Sequence, residues 1–207
     1  MKYDAIVVAG GSGKRANLGF NKVLFKMKNG KTVLENACSL FIEDNDCIKL
    51  IVVTNEDISF DSSKVIAVRG GKERYASVKN GLEKVKSEYV LIHDGARPFL
   101  SKLDLENLKN NVLDNDGALL AYKSIDTVKY VEDGYISKTI NRDNVYLALT
   151  PQAFKSDLLK KAYDTDNFEN ITDDASLFER CGYKVKVVVG SKDNKKLTNR
   201  EDFLNIW

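Results

Sequence analysis

The chain has 207 residues, 43% of them hydrophobic, and its 32 basic and 30 acidic side chains leave a formal net charge of +2. That length suits one well-buried α/β domain over residues 1–207 and leaves little room for a second, while charges so evenly balanced give no bulk attraction to nucleic acid or to a membrane surface. Cys38, Cys47 and Cys181 stand at no metal-ligand spacing and read as buried thiols of a reducing compartment.

Met1 leads directly into the strand-like "YDAIVV", without a basic n-region and apolar core, and no apolar run nears the roughly 20 residues of a membrane span, so a cytoplasmic protein is expected. Short β-branched runs then alternate with helical periodicity: "AIVVAG", a helix over 31–45, "KLIVVT", "KVIAV", a helix over 72–87, "YVLIHD", a helix over 102–113, and "ALLAYK". Such a βα succession predicts a mostly parallel sheet with helices on both faces and ligands beyond the carboxyl ends of its strands. The stretch 127–140, "TVKYVEDGYISKTI", places Asp133-Gly134 between two alternating runs and predicts a β-hairpin. Next, "VYLALTPQAF" reads as one more strand, ending at Pro151. After "VKVVVG", Thr198 and Glu201 have capping-box spacing for a final helix.

Against that frame the first turn stands out, because "AGGSGKR" after a strand presents backbone N–H groups with no side chains in the way, plus two cations, and suits an anion. A Walker P-loop fails: Arg15 follows Gly13-Lys14 where Ser or Thr is required, and Val8 occupies the leading glycine position. A dinucleotide fingerprint fits loosely as Gly11, Gly13 and Ala16, yet "ANLGFNK" offers no apolar helical face. Two readings stay open on these residues alone: a long basic loop wrapping a nucleoside triphosphate, with Arg15 and Lys22 pointing inward from its ends, and an ordinary surface turn with solvated lysines.

Seven segments in order, "AGGSGKR" with Lys22, "GGKERYASVKNGL" at 70–82, "HDGARP" at 93–98, "DTVK" at 126–129, "TINRDNVYLALTPQAF" at 139–154, "TDDASLFE" at 172–179 and "NKKLT" at 194–198, resemble the cytidylyltransferases acting on 2-C-methyl-D-erythritol 4-phosphate. The ribitol-5-phosphate cytidylyltransferases look similar, but "TDDASL" and the Thr-x-x-Arg of "TINR" lean toward the methylerythritol enzymes. The resemblance implies a Rossmann-like nucleotidyltransferase fold with a projecting hairpin arm at 127–140, and a Mg²⁺-dependent reaction in which an acceptor phosphate attacks the α-phosphorus of CTP and pyrophosphate leaves.

It also implies site residues. Arg15 and Lys22 would hold the triphosphate, and Lys196 would approach the α-phosphate; Lys195 is the weaker candidate, since neighbours in an extended stretch face opposite ways. Ala9, Gly10, Gly11 and Gly13, with Gly70, Gly71 and Ser77 on the facing segment, would bind the nucleotide. Asp94, at the carboxyl end of a strand, is the candidate contact for Mg²⁺ or for acceptor hydroxyls, and Arg97 for the acceptor side. Thr127, Arg142, Thr150 and Thr172 would form the acceptor phosphate pocket. In that family the hairpin crosses into a second subunit, so a homodimer is expected, with Arg142 serving its partner's site. His93, the single histidine, is expected to be structural, because Asp94 beside it must face the other way; an acceptor phosphate, ionised with a second pKa of about 6, needs no base. The family pattern Pro-Lys-Gln is here Asn21-Lys22-Val23, which removes a proline restraint from the loop. The rival readings are a cytidylyltransferase for another polyol phosphate and a nucleotide-binding regulator that does no chemistry.

Overall fold

The computed structural model describes all residues except 12–15, 17, 166, 205 and 207. Its centre is a seven-stranded sheet made of β1 (Tyr3–Val8), β2 (Cys47–Thr54), β3 (Val65–Arg69), β4 (Tyr89–Asp94), β5 (Gly117–Lys123), β8 (Tyr146–Lys155) and β9 (Val185–Val189), ordered β3-β2-β1-β4-β8-β5-β9. The β1–β2, β1–β4, β2–β3 and β5–β9 pairs are parallel, and β8 runs antiparallel to both β4 and β5. The mostly parallel sheet read from the β-branched runs is therefore present, with one reversed strand inside it.

Alternation along each buried strand feeds two cores, as the two-residue side-chain period requires. On one face Ala5, Val7 and Leu91 pack with Leu34, Cys38 and Phe41 of α1 (Val33–Glu43) and Leu105 and Leu108 of α3 (Lys102–Val112). On the other, Ile6, Val90 and Ile92 meet Val78 and Leu82 of α2 (Arg74–Leu82), Leu159 of α4 (Ser156–Ala162) and Phe178 of α5 (Asp174–Arg180). Caps set the helix starts: Thr32 and Glu35 form a capping box on α1, and the Asp173 carboxylate accepts from the Ser176 N–H at 2.9 Å on α5.

Three sequence expectations shift. Strand β8 does not stop at Pro151 but continues to Lys155; the proline falls where the pairing to β5 slips, between Leu119↔Gln152 and Ala121↔Ala148, so its missing N–H is accommodated by an irregularity. The last helix is a short 3₁₀ turn, Arg200–Phe203, whose start is held by the Asp202 carboxylate accepting from the Thr198 and Asn199 N–H groups, one residue along from the anticipated Thr198–Glu201 pair. Cys38 and Cys47 are buried thiols, whereas Cys181 is exposed at the end of α5.

The predicted hairpin is β6 (Val128–Glu132) and β7 (Tyr135–Ile140), a two-stranded sheet separate from the main one. Asp133 and Gly134 both have positive φ, 51° and 83°, the conformation that a two-residue hairpin turn with the correct twist demands. Among the described residues, no helix is long and apolar enough to cross a membrane.

Candidate active site

Strands β1 and β4 lie side by side, with Val8 opposite Asp94, and the chain leaves their ends in different directions: from β1 outward to β2 and β3, then back over α2 to β4. A crevice is expected at such a switch of direction, and a cavity of about 370 Å³ opens there. Its wall includes Ala9, Gly10 and Gly11 after β1, Lys22 and Val23, the 71–77 segment that begins α2, Asp94, and Lys196. Of the sequence-predicted residues, Ala9, Gly10, Gly11, Lys22, Gly71, Ser77, Asp94 and Lys196 are thus brought together. Gly13 and Arg15 lie outside the described residues.

The two glycine segments meet backbone to backbone. A Cβ placed on Gly70 would sit 3.0 Å from the Gly10 Cα, and one on Gly10 would sit 3.1 Å from Ser77 Oγ. Any larger residue would wedge the segments apart, which is what glycine here prevents. The Ser77 hydroxyl accepts from the Gly71 N–H at 3.0 Å and donates to the Glu73 carbonyl at 3.2 Å, locking the turn onto the first turn of α2.

Lys22 is 9% exposed and donates from Nζ to the Leu197 carbonyl at 2.7 Å, so the basic loop reaches the 194–198 segment. That segment is pinned from below: the Leu197 N–H donates to Ala96 O at 2.8 Å, the Asn194 side-chain amide to Thr150 O at 2.7 Å, and Arg97 Nη1 to Asn194 O at 2.7 Å. Lys196 is thereby turned into the cavity, 2.9 Å from Asp94 Oδ2, while Lys195 is exposed. The proline missing from the loop has a substitute, because the Asn21 amide donates to Gly11 O at 3.0 Å and to Glu56 Oε1 at 2.9 Å and so ties the loop to the end of β2.

Asp94 is the electrostatic centre. Lys196 Nζ at 2.9 Å and Arg97 Nε at 3.4 Å face one oxygen, and Arg74 Nε at 3.6 Å faces the other. Burial pushes its carboxyl up, but Lys196, Arg74 and Arg97 together outweigh burial and hold it well below the usual carboxylate range, so it stays ionised. His93 faces the opposite side of the sheet, against Phe41. Its Nδ1 meets the Thr150 hydroxyl and its Nε2 meets the Arg97 carbonyl, both at 3.0 Å, and burial lowers its pKa to about 4. With both ring nitrogens engaged and the ring neutral, His93 is a structural residue, as expected.

The expected acceptor pocket has a different fate. The Thr150 hydroxyl is buried and committed twice, to His93 and as acceptor for the Asp94 N–H at 3.0 Å, so it braces the floor of the cavity instead of facing a ligand. Thr127, Arg142 and Thr172 are exposed and do not line the cavity; Arg142 donates from Nη1 to Ile125 O at 2.7 Å at the base of the hairpin. Conversely, Arg74 and Asp174 were not singled out by sequence, yet Arg74 lines the cavity and its Nη2 lies 2.6 Å from Asp174 Oδ2. Both fall inside recognised motifs, but nothing in a linear pattern ties position 74 to position 174.

The decisive comparison is with sequence families: the family model described as 2-C-methyl-D-erythritol 4-phosphate cytidylyltransferase matches residues 3–206. This chain belongs to that family. Curated members similar to it include those of Geobacillus kaustophilus, 38% identical, and Halalkalibacterium halodurans, 37% identical, each match covering 99% of this chain and 95% of the relative. Among solved structures, the 4-diphosphocytidyl-2C-methyl-D-erythritol synthase of Anaerococcus prevotii superposes with a TM-score of 0.84 at 34% identity, covering 98% of this chain and 95% of that one. The Francisella tularensis cytidylyltransferase does so with 0.83 at 32%, covering 96% and 95%. The bifunctional protein of Campylobacter jejuni matches all of this chain over 55% of its own length, with a TM-score of 0.86 at 29% identity. The fold is that of the family, and the chain is a cytidylyltransferase.

Proposed function

We propose that this chain transfers CMP from CTP to 2-C-methyl-D-erythritol 4-phosphate, releasing pyrophosphate, in isoprenoid precursor synthesis. The observation that carries this reading is the cavity at the β1–β4 crevice, where Lys22 and Lys196 come in on separate segments beside a glycine-lined slot. Both reactants are anions, so catalysis reduces to neutralising charge, aligning the attack and stabilising the crowded α-phosphate. An oxygen of the acceptor phosphate bonds to the α-phosphorus, the bond from that phosphorus to the bridging oxygen breaks, and pyrophosphate departs with the electron pair. Lys22, with Arg15, meets charge on the triphosphate, and Lys196 meets charge growing on the α-phosphate. The close backbone approach of Gly10 and Gly70 supports a tight, glycine-lined wall for the base, and we read it as a pyrimidine slot.

Among the described residues, no cluster of three or more His, Cys, Asp or Glu side chains stands ready for a metal. That suits Mg²⁺, which takes one or two carboxylates and completes its shell with substrate phosphates and water. Asp94, ionised and at the cavity wall but already facing Lys196, Arg97 and Arg74, would be its protein ligand only where the ion takes the place of one of these cations, and the ion would neutralise phosphate charge.

The acceptor phosphate pocket is read as intersubunit. The exposed apolar surface of the hairpin supports this, with Tyr135 81%, Ile136 64% and Val131 53% exposed: an isolated two-stranded hairpin is marginal in water and gains by packing on a partner. In a twofold dimer each arm would carry Thr127 and Arg142 to the other subunit's cavity. The buried thiols Cys38 and Cys47 fit a cytoplasmic, reducing setting.

Pyrophosphate release measured with CTP and a panel of polyol phosphates tests the reading. Turnover is expected with 2-C-methyl-D-erythritol 4-phosphate and CTP, with little from ATP or GTP. A preference for ribitol 5-phosphate would overturn the acceptor, equal use of ATP would overturn the pyrimidine slot, and CTP binding without turnover would favour a regulator.

A further inference from the structure

Arg74 opens α2, where the helix dipole disfavours a cation, yet its side chain is held at both ends. Nη2 lies 2.6 Å from Asp174 Oδ2, and the other oxygen of Asp174 accepts from the Tyr163 hydroxyl at 2.6 Å. Asp174 is 0% exposed, so this pair is fully desolvated on the acid side. Such pairs add little net stability compared with apolar packing, because desolvating the charges cancels most of their attraction. What the pair does supply is geometry: a planar guanidinium anchored by one buried carboxylate cannot turn away from the second. The second is Asp94, whose Oδ1 lies 3.6 Å from Arg74 Nε and whose Oδ2 holds Lys196 at 2.9 Å. Phe168 stacks on Tyr75 at 4.2 Å and lies 5.8 Å from the Tyr163 ring, closing the outer side of the chain of contacts.

We propose that Arg74 is a positioning residue for CMP transfer, set in place by Asp174 and Tyr163, and that it fixes the carboxylate of Asp94 and through it the ammonium of Lys196. This rests on the cytidylyl transfer reading above. The line Tyr163–Asp174–Arg74–Asp94–Lys196 runs from the end of α4 to the cavity wall, which its last three members line, and its last member is the cation assigned to the α-phosphate. With Arg74 in place both oxygens of the Asp94 carboxylate face cations, Oδ1 at 3.6 Å and Oδ2 at 2.9 Å, which favours one orientation of the group. Without it the carboxylate is held through Oδ2 alone, and Lys196 loses a fixed partner.

The test is a kinetic double-mutant cycle on the full chain. Tyr163→Phe removes one hydroxyl and keeps the ring; it is expected to lower kcat roughly fivefold with KM for CTP within about twofold, and Arg74→Lys, which keeps the charge but not the fork, to lower kcat at least about tenfold. In the Arg74→Lys background, Tyr163→Phe should then cost nothing further in kcat, while its effect on the melting temperature persists. A purely structural role predicts otherwise: a lower melting temperature with kcat unchanged, or a full extra factor in kcat in the double variant, and either result overturns the proposal. If instead the unmodified chain, folded and binding CTP, transfers no CMP to methylerythritol phosphate, the reaction itself was misassigned and the proposal falls with it.

Discussion

The cavity at the β1–β4 crevice and the hairpin β6–β7 carry two halves of one expected site, and they are built in opposite ways. At the cavity, the Lys22, Arg97 and Asn194 side chains tie the 194–198 segment to the loop after β1, to the end of β4 and to β8 by short hydrogen bonds, and the central carboxylate meets three cations. On the hairpin, Tyr130, Val131, Tyr135 and Ile136 are all exposed, and the base is held by surface contacts such as Lys123–Asp143 at 2.9 Å. Surface pairs of that kind stabilise little. The residues proposed for the nucleotide are thus braced together within one chain, whereas two of those proposed for the acceptor phosphate, Thr127 and Arg142, flank the exposed hairpin and do not line the cavity.

The largest expected effect sets the stability of the braced half. His93 is held neutral, with its pKa lowered from 6.5 to about 4. As pH falls below about 6.5 the unfolded chain takes up a proton that the folded chain refuses, so stability should drop by up to about 3 kcal/mol by pH 4 and change no further from this group below it. Denaturant midpoints against pH would trace this slope, and a His93→Gln variant should flatten it; a variant with the same slope would separate His93 from acid sensitivity. Next come the cations. Lys22→Ala and Lys196→Ala should each lower kcat at least about tenfold, ~1.4 kcal/mol or more, with the fold kept. A normal pyrophosphate release rate from either would contradict the mechanism. Smallest is the tie that stands in for the loop proline: Asn21→Ala removes the bonds to Gly11 O and Glu56. It should raise KM for CTP a few-fold, about 1 kcal/mol, and leave kcat nearly unchanged; an equal fall in kcat would mean that the loop order matters to the transition state.

Much of the braced half was legible because it is local in sequence. Continuous β-branched runs gave the buried strands, glycine pairs gave the turns, and the two-residue period correctly put His93 and Asp94 on opposite faces of β4. Lys196 over Lys195 came from the family resemblance, the same rule adding only that the two neighbours face opposite ways. The unread parts depend on long-range contacts. Thr150 spends its hydroxyl on His93 and Asp94, partners nearly 60 positions away, and nothing in "LALTPQAF" announces that. Arg74 and Asp174 pair across 100 positions. The start of the final turn moved by one residue because Asp202, not Glu201, reaches the free N–H groups, a choice between adjacent acids that spacing alone does not make.

The contrast between the two halves is tested most directly by mixing two crippled proteins. Lys22→Ala damages the preassembled half and Arg142→Ala the displayed half. If each arm completes the other subunit's site, exchanged heterodimers contain one site with both residues intact and one with neither. After subunit exchange confirmed by differently tagged chains, equimolar mixing of the two variants should therefore restore about a quarter of the unmodified activity per total chain under random pairing of twofold dimers. Mixtures that stay as inactive as the separate variants, despite proven exchange, would place Arg142 at its own chain's cavity or outside the reaction, and the intersubunit acceptor pocket would be wrong.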